Sequence, residues 1–214
     1  MGSASACEDA SVTDTVAEAP TSRRSWIFAV FLIVAGALGW WAAFNLTLDK
    51  IAVLEDPNAA LSCNVSAFVQ CGKNLDSWQG SVFGFPNPLL GLGGFVAPIA
   101  VGVALLAGAR FARWFWIAFN VGIVGALAFV IWLITQSFFS LGTLCPWCAL
   151  VWSVTIPLFW ATSLRNAKEG VFGDAPRRIG RLLTPWIVPI TVACYLIVIV
   201  IGQIRIPIIQ SLFL

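Results

Sequence analysis

The chain of 214 residues contains no histidine. That absence removes imidazole acid–base catalysis, histidine-ligated zinc or haem, and every triad built on histidine. Charge is scarce as well: Asp, Glu, Lys and Arg together make up 10% of the chain, against 59% hydrophobic residues. Soluble domains carry about 25% charged residues, so an ordinary soluble domain is excluded. Disordered proteins, coiled coils and nucleic-acid binders are excluded with it, since no basic stretch is present. There is one methionine, which argues against a Cu(I) conduit. There is no glycine-rich phosphate loop, no internal repeat and no second soluble domain. The chemistry falls to six cysteines, a few carboxylates and hydroxyls, or a bound cofactor.

What is present is long uncharged runs. Ser25–Leu48, Ser77–Ala109, Trp114–Leu164 and Leu182–Ile204 contain no ionisable acid or base other than cysteine and tyrosine. A membrane-spanning helix needs about 20 apolar residues, and mean hydropathy is +0.90. The first and last runs fit one span each. The second fits one span after the Pro- and Gly-rich stretch Gly84–Pro88. The third fits two, hinged near Gln136–Thr143. The expected fold is an all-α integral membrane protein with helices near 26–47, 87–108, 114–137, 144–163 and 184–204.

Basic residues set the orientation. Arg23 and Arg24, Arg110 and Arg113, then Arg165, Lys168, Arg177, Arg178 and Arg181 fall on one side of these spans. Lys50, Lys73 and Arg205 fall on the other. The bias places the N-terminus in the cytoplasm and the C-terminus outside. Residues 1–22 read as a disordered cytoplasmic tail, 23–164 as a four-helix bundle with an extracytoplasmic loop 49–86, 165–183 as a cytoplasmic loop, and 184–214 as a fifth span with its tail. Thr21–Ile27 has a weak twin-arginine look, but the apolar run behind it exceeds the 7–15 residues or so of a signal-peptide core.

Cys7 lies in the inner tail and Cys194 in the middle of the last span, where a lone cysteine is a small hydrophobe. Cys63 and Cys71 lie in the outer loop, and Cys145 and Cys148 follow the outer turn. All four fall on the side where disulfides persist, although the topology rests on Arg and Lys alone. Cys145-Pro146-Trp147-Cys148 is a C-x-x-C at a helix start. Pro146 suits the first helical turn. Cys145 then sits near the N-cap, where free amides stabilise its thiolate, and Cys148 shares its face. The pattern suits thiol–disulfide exchange; an inert staple and a metal clip are the other readings. A disulfide forms only if two electrons leave. In a membrane chain without histidine or a nucleotide motif, the available acceptor is a lipid-soluble quinone between helices. The C-x-x-C would face that quinone and the loop pair a water-borne thiol partner.

Taken in order, four features resemble the vitamin K epoxide reductase family. They are Cys63 and Cys71 after the first span, Ser77-Trp78 with Phe83-Gly84, Asn87 opening the second span, and Cys145-x-x-Cys148 opening the fourth. The resemblance spans about residues 26–164. It implies a four-helix bundle around a quinone, capped by the cysteine-bearing loop, with the fifth helix an addition. Bacterial members of the family act as the DsbB enzymes do, reoxidising a thioredoxin-fold protein and reducing quinone (menaquinone or ubiquinone).

On that pattern Cys63 exchanges with the partner and Cys71 bridges inward to Cys145. Cys148 stands nearest the quinone, Asn87 donates to a quinone carbonyl, and Ser77 matches a loop Ser/Thr position. Trp78 and Phe83 are candidate pocket walls. Trp152 stands where the family often has a tyrosine donor. No fused thioredoxin domain follows, so the expected partner is a separate DsbA-type protein, and the expected location is a bacterial cell membrane. The resemblance leaves open the opposite direction, reduction of vitamin K or its epoxide. A thiolate metal-handling protein is the reading from another class. Trp26, Trp114, Trp116 and Trp186 are expected at the membrane interface.

Overall fold

The computed structural model describes residues 23–56, 59, 61, 63–66 and 68–206; Cys7 and the tail 1–22 lie outside them. Helix α1 (Arg23–Glu55) is longer than the expected span. Its last residues, Leu48–Glu55, mix strong helix formers with charge, so the helix continues past the apolar run. Pro57, next but one in sequence, disfavours helical backbone at Asp56. The second span is broken into α3 (Pro88–Gly94) and α4 (Val96–Leu106). Pro98 removes an amide and crowds the carbonyl of Gly94, four residues back, which accounts for the break at Phe95.

Helix α5 (Arg113–Thr135) runs on into a wider π-helical turn, Gln136–Leu141. Gly142, at φ 63°, ends it in the left-handed region that glycine adopts without strain. Helix α6 (Pro146–Lys168) starts four residues later. The connection 165–183, expected as a loop, is largely helical. Helix α6 carries through Arg165–Lys168, and α7 (Asp174–Leu183) follows the glycines 170 and 173. Asp174 in its first turn and Arg181 in its last complement the helix dipole. A short turn, Thr184–Trp186, leads into α8 (Ile187–Arg205). Among the described residues, five stretches are long and apolar enough to cross a membrane. The loop 49–86 also carries a short helix, α2 (Gly72–Asp76), and a 3-10 turn, Trp78–Ser81.

Helix α1 packs along α4 and α6, and α6 packs on α5, α7 and α8. The seam between α1 and α4 is closed by glycines. A Cβ on Gly102 would sit 2.7 Å from the Ala29 carbonyl oxygen and 2.7 Å from Ile33 Cγ1, and one on Gly39 would enter the Phe95 ring. Small residues let backbones approach in lipid, where packing replaces the hydrophobic drive. Gly102→Val is therefore expected to destabilise the bundle by about 1–3 kcal/mol, read as a lower midpoint of unfolding in detergent.

At the Arg-rich end, Arg165 stacks over Trp116 (4.1 Å) and Phe28 (4.9 Å) and pairs with Glu169 at 3.1 Å. Asn166 is fully buried and donates to the Trp116 carbonyl, 3.3 Å. Trp116 thus belongs to the core, which corrects its reading as an interface anchor. It is two residues past Trp114, and that step turns it from the lipid face to the bundle. Trp26, Trp114 and Trp186 are exposed. Helix α8 is tied to α6 by Tyr195, whose hydroxyl donates to the Ser153 carbonyl. Its end brings Gly202 and Ile206 against Phe138 and Trp152.

Candidate active site

The cap gains its shape from short polar bonds. Asn64 Oδ1 accepts from the amides of Cys71 (3.0 Å) and Gly72 (3.4 Å). The amides of Val65 and Ser66 both reach the Val69 carbonyl. This folds the chain back so that Cys63 and Cys71 meet as a disulfide, with Cα atoms 5.8 Å apart.

The cap is then registered on the start of α6. The Leu144 amide donates to the Phe68 carbonyl at 2.8 Å, and the Gln70 amide to the Leu144 carbonyl at 3.0 Å. That parallel bridge between Val69 and Leu144, just ahead of the cysteines in each segment, places Cys71 and Cys145 side by side, with sulfurs 3.0 Å apart. Three further bonds hold α2 down. Lys73 Nζ donates to the Leu141 carbonyl (2.7 Å), Thr143 Oγ1 to Asn74 Oδ1 (3.2 Å), and Lys50 Nζ to the Leu75 carbonyl (2.7 Å).

Cys145 is the N-cap of α6, and its sulfur accepts from the Cys148 amide at 3.4 Å. Cys71 and Cys145 are fully buried, and Cys63 is only 5% exposed. Cys148 is half-buried and lies at the wall of a cavity. Cys63, Cys71 and Asp49 have ligand atoms within 4.8 Å of one another, but both sulfurs are spent in the disulfide. Cys194 is a free, half-buried cysteine within α8.

The cavity occupies about 640 Å³ between α4 and α5. Gly122, Gly125 and Ala126 of α5 and Ala97 and Pro98 of α4 line it, and these small side chains leave the gap between the two helices unfilled. Phe83, Asn87 and Trp152 stand in its wall, together with Cys148. Ser77 and Trp78 do not. Ser77 Oγ donates to the Asn74 carbonyl (2.7 Å), and Trp78 is 67% exposed with its ring 6.0 Å from that of Trp132. The Asn87 side chain is engaged locally: Nδ2 donates to the Gln79 carbonyl (2.6 Å) and Oδ1 accepts from the Val82 amide (3.2 Å).

Reasoning from sequence missed polar wall residues: Asn74, Gln79, Gln136, Ser137 and Thr155. The signal for the last three was an uncharged polar side chain inside or at the end of an apolar run. Asn74 gave none beyond its place three residues after Cys71.

Buried cysteine pairs in contact, set in a multi-pass helical bundle beside an apolar cavity, define a membrane protein of thiol–disulfide chemistry. The model of the vitamin K epoxide reductase family matches residues 30–163, and the chain belongs to that family. It is accordingly a membrane oxidoreductase of thiol–disulfide type. No curated protein matches the chain.

Proposed function

We propose that the protein is a quinone-dependent thiol oxidase that reoxidises a DsbA-type thioredoxin-fold protein outside the cytoplasm. The observation that carries this reading is the line of sulfurs: Cys63 joined to Cys71, Cys71 3.0 Å from Cys145, and Cys148 of the same C-x-x-C at the wall of the cavity. A dithiol partner gives up two electrons and two protons, and a quinone supplies the chemistry that accepts both.

The cavity suits such a group. Its walls are apolar with a few polar side chains, as small-molecule sites are. Trp152 is 4% exposed, and its Nε1 has no hydrogen-bond partner among the described residues. A buried indole N–H is costly to leave unpaired, and a quinone carbonyl would satisfy it. The residues proposed to hold the quinone (menaquinone or ubiquinone) are Phe83, Asn87 and Trp152. Ser77 acts through α2, whose end it ties, and Trp78 has no part in the wall.

The roles follow from position. Cys63 receives the partner's sulfur. Cys71, released, attacks Cys145 of an oxidised C-x-x-C and frees Cys148 toward the cavity. Cys63, once freed by the partner, attacks Cys71, and Cys145 leaves as the cap disulfide re-forms. Cys63 is buried in the cap, so exchange with a protein partner requires its sulfur to become exposed. The positive-inside bias supports a cytoplasmic N-terminus and cytoplasmic residues 165–183, with 23–164 as the quinone-binding bundle and 184–214 as the fifth span and its tail.

The test is to mix detergent-purified protein with a reduced thioredoxin-fold protein and a short-chain quinone, following quinone absorbance. Quinone loss equal to disulfide formed, abolished by Cys148→Ala and untouched by Cys194→Ala, is the expected result. No turnover with thiol donors, alongside reduction of vitamin K by a dithiol, would replace this reading with the reverse direction.

A further inference from the structure

Asp49 lies on the last turns of α1, beyond the span expected from sequence, and one of its carboxylate oxygens is 3.2 Å from Cys63 Sγ. In the disulfide form Cys63 carries no proton, so this is a contact waiting for one. The neighbouring lysine does not neutralise the carboxylate, because the Lys50 ammonium is engaged at the Leu75 carbonyl. Among the described residues, the cysteines grouped with it are Cys63 and Cys71 of the cap. Cys145 stands behind Cys71, and Lys73 is held at the Leu141 carbonyl. Cys63 is 5% exposed, so solvent has poor access to its sulfur.

We propose that Asp49 is the acid–base catalyst for the Cys63 sulfur in the exchange between the two cysteine pairs; this rests on the exchange function proposed above. In one direction the Cys145 thiolate attacks Cys71. The Cys71–Cys145 bond forms, the Cys63–Cys71 bond breaks, and Cys63 leaves with the electron pair of the old bond. Asp49, carrying a proton, hands it to that leaving sulfur. In the other direction Asp49 takes the proton from the Cys63 thiol as it attacks Cys71, and Cys145 departs with the electron pair of the Cys71–Cys145 bond. The exchange consumes no oxidant, since one disulfide is exchanged for another. A base within hydrogen-bond reach of the proton it moves meets the geometric condition for general catalysis, worth about 10²–10⁴-fold. The sequence places this carboxylate at the start of the outer loop 49–86, and it is the extension of α1 under the cap that brings it to Cys63.

The test isolates this step from quinone and partner. Cys148→Ala protein, full length and in detergent, is isolated with Cys63 joined to Cys71 and exposed to excess N-ethylmaleimide. Peptide mass then follows the species with Cys63 alkylated and Cys71 bridged to Cys145. With Asp49 present, resting and transition states carry the same net charge, and the rate is flat across neutral pH. Asp49→Asn is expected to slow it on the order of 10²-fold and to make it rise about tenfold per pH unit, because bulk solvent must then manage the proton. Asp49→Glu restores the flat profile at a reduced rate. Unchanged rates in Asp49→Asn would overturn the proposal. So would equal slowing by Asn and Glu with both profiles flat, which marks a packing role. If Asp49→Asn fails to form the cap disulfide, the Glu variant decides alone: a flat profile supports the acid–base role and a rising one overturns it. An oxidase assay that fails with every donor leaves this measurement intact.

Discussion

Replacing Cys145 with alanine is expected to abolish thiol-driven quinone reduction, a loss on the order of 10³-fold or more as for other members of a catalytic unit. The cap disulfide should stay intact. The argument is one of connection. Cys71 is fully buried, and the described sulfur it touches outside its own disulfide is Cys145, at 3.0 Å. Cys148 has its backbone amide on Cys145 and its residue at the cavity wall. Removing Cys145 severs the two pairs without disturbing either end. The structural cost is small: the N-cap loses a sulfur acceptor, which cap substitutions put at about 1 kcal/mol.

Cys145→Ser separates the two effects. It restores an acceptor for the Cys148 amide but forms no disulfide, so stability should recover while activity does not. The sharper readout is stoichiometry. Cys145→Ala protein should still oxidise one equivalent of thiol partner through Cys63–Cys71 and then stop. Continued turnover would mean that Cys71 reaches Cys148 directly, and the bridge through Cys145 would be discarded. Cys148→Ala should also stop after one equivalent, because without Cys148 no C-x-x-C disulfide can form to reoxidise the cap pair.

The parts of this arrangement legible in the chain were those written in long signals. Uncharged runs of span length are an energetic statement about the bilayer, and they located the five crossing helices. The C-x-x-C with Pro146 announced a helix start, and Cys145 is the N-cap there. Other features depended on contacts between distant segments. Nothing local says that Leu48–Glu55 stays helical, because propensity and a nearby charge pair point both ways until the cap covers it. The break at Phe95 follows from Pro98, inside a run that reads as one span, whereas the gap between α4 and α5 depends on which small side chains the packing sets facing each other. Ser77 and Trp78 were legible as a motif yet not as a direction. The 3-10 turn Trp78–Ser81 points Trp78 outward to Trp132, while Phe83, five residues on, meets the cavity. The registry of Cys71 on Cys145 rests on two backbone hydrogen bonds to Leu144, and main-chain pairing of that kind leaves no mark on side-chain pattern.

Filling the cavity is the second large effect. Gly125 lies in α5 and lines the cavity, and a Cβ built on it meets no atom of the described residues within 4 Å. Gly122, one turn earlier, has the same freedom. Leucine at either position therefore has room, and in a helix interior it should stabilise the chain by about 0.5–1 kcal/mol relative to glycine. A leucine side chain in the space between α4 and α5 competes with whatever occupies it. The expected result for Gly125→Leu is an equal or higher unfolding midpoint together with a rise in KM for quinone of at least about tenfold, equivalent to roughly 1.4 kcal/mol. Reduction of the cap disulfide by a thiol partner should be unaffected, because Cys63 and Cys71 are outside the wall. The combination matters, since a variant that merely misfolds would lose both. Unchanged quinone kinetics in both the Gly122 and Gly125 variants would mean that the acceptor meets Cys148 by another face. The cavity would then be ordinary lipid-filled space beside the C-x-x-C, and the unpaired indole of Trp152 would need a different partner.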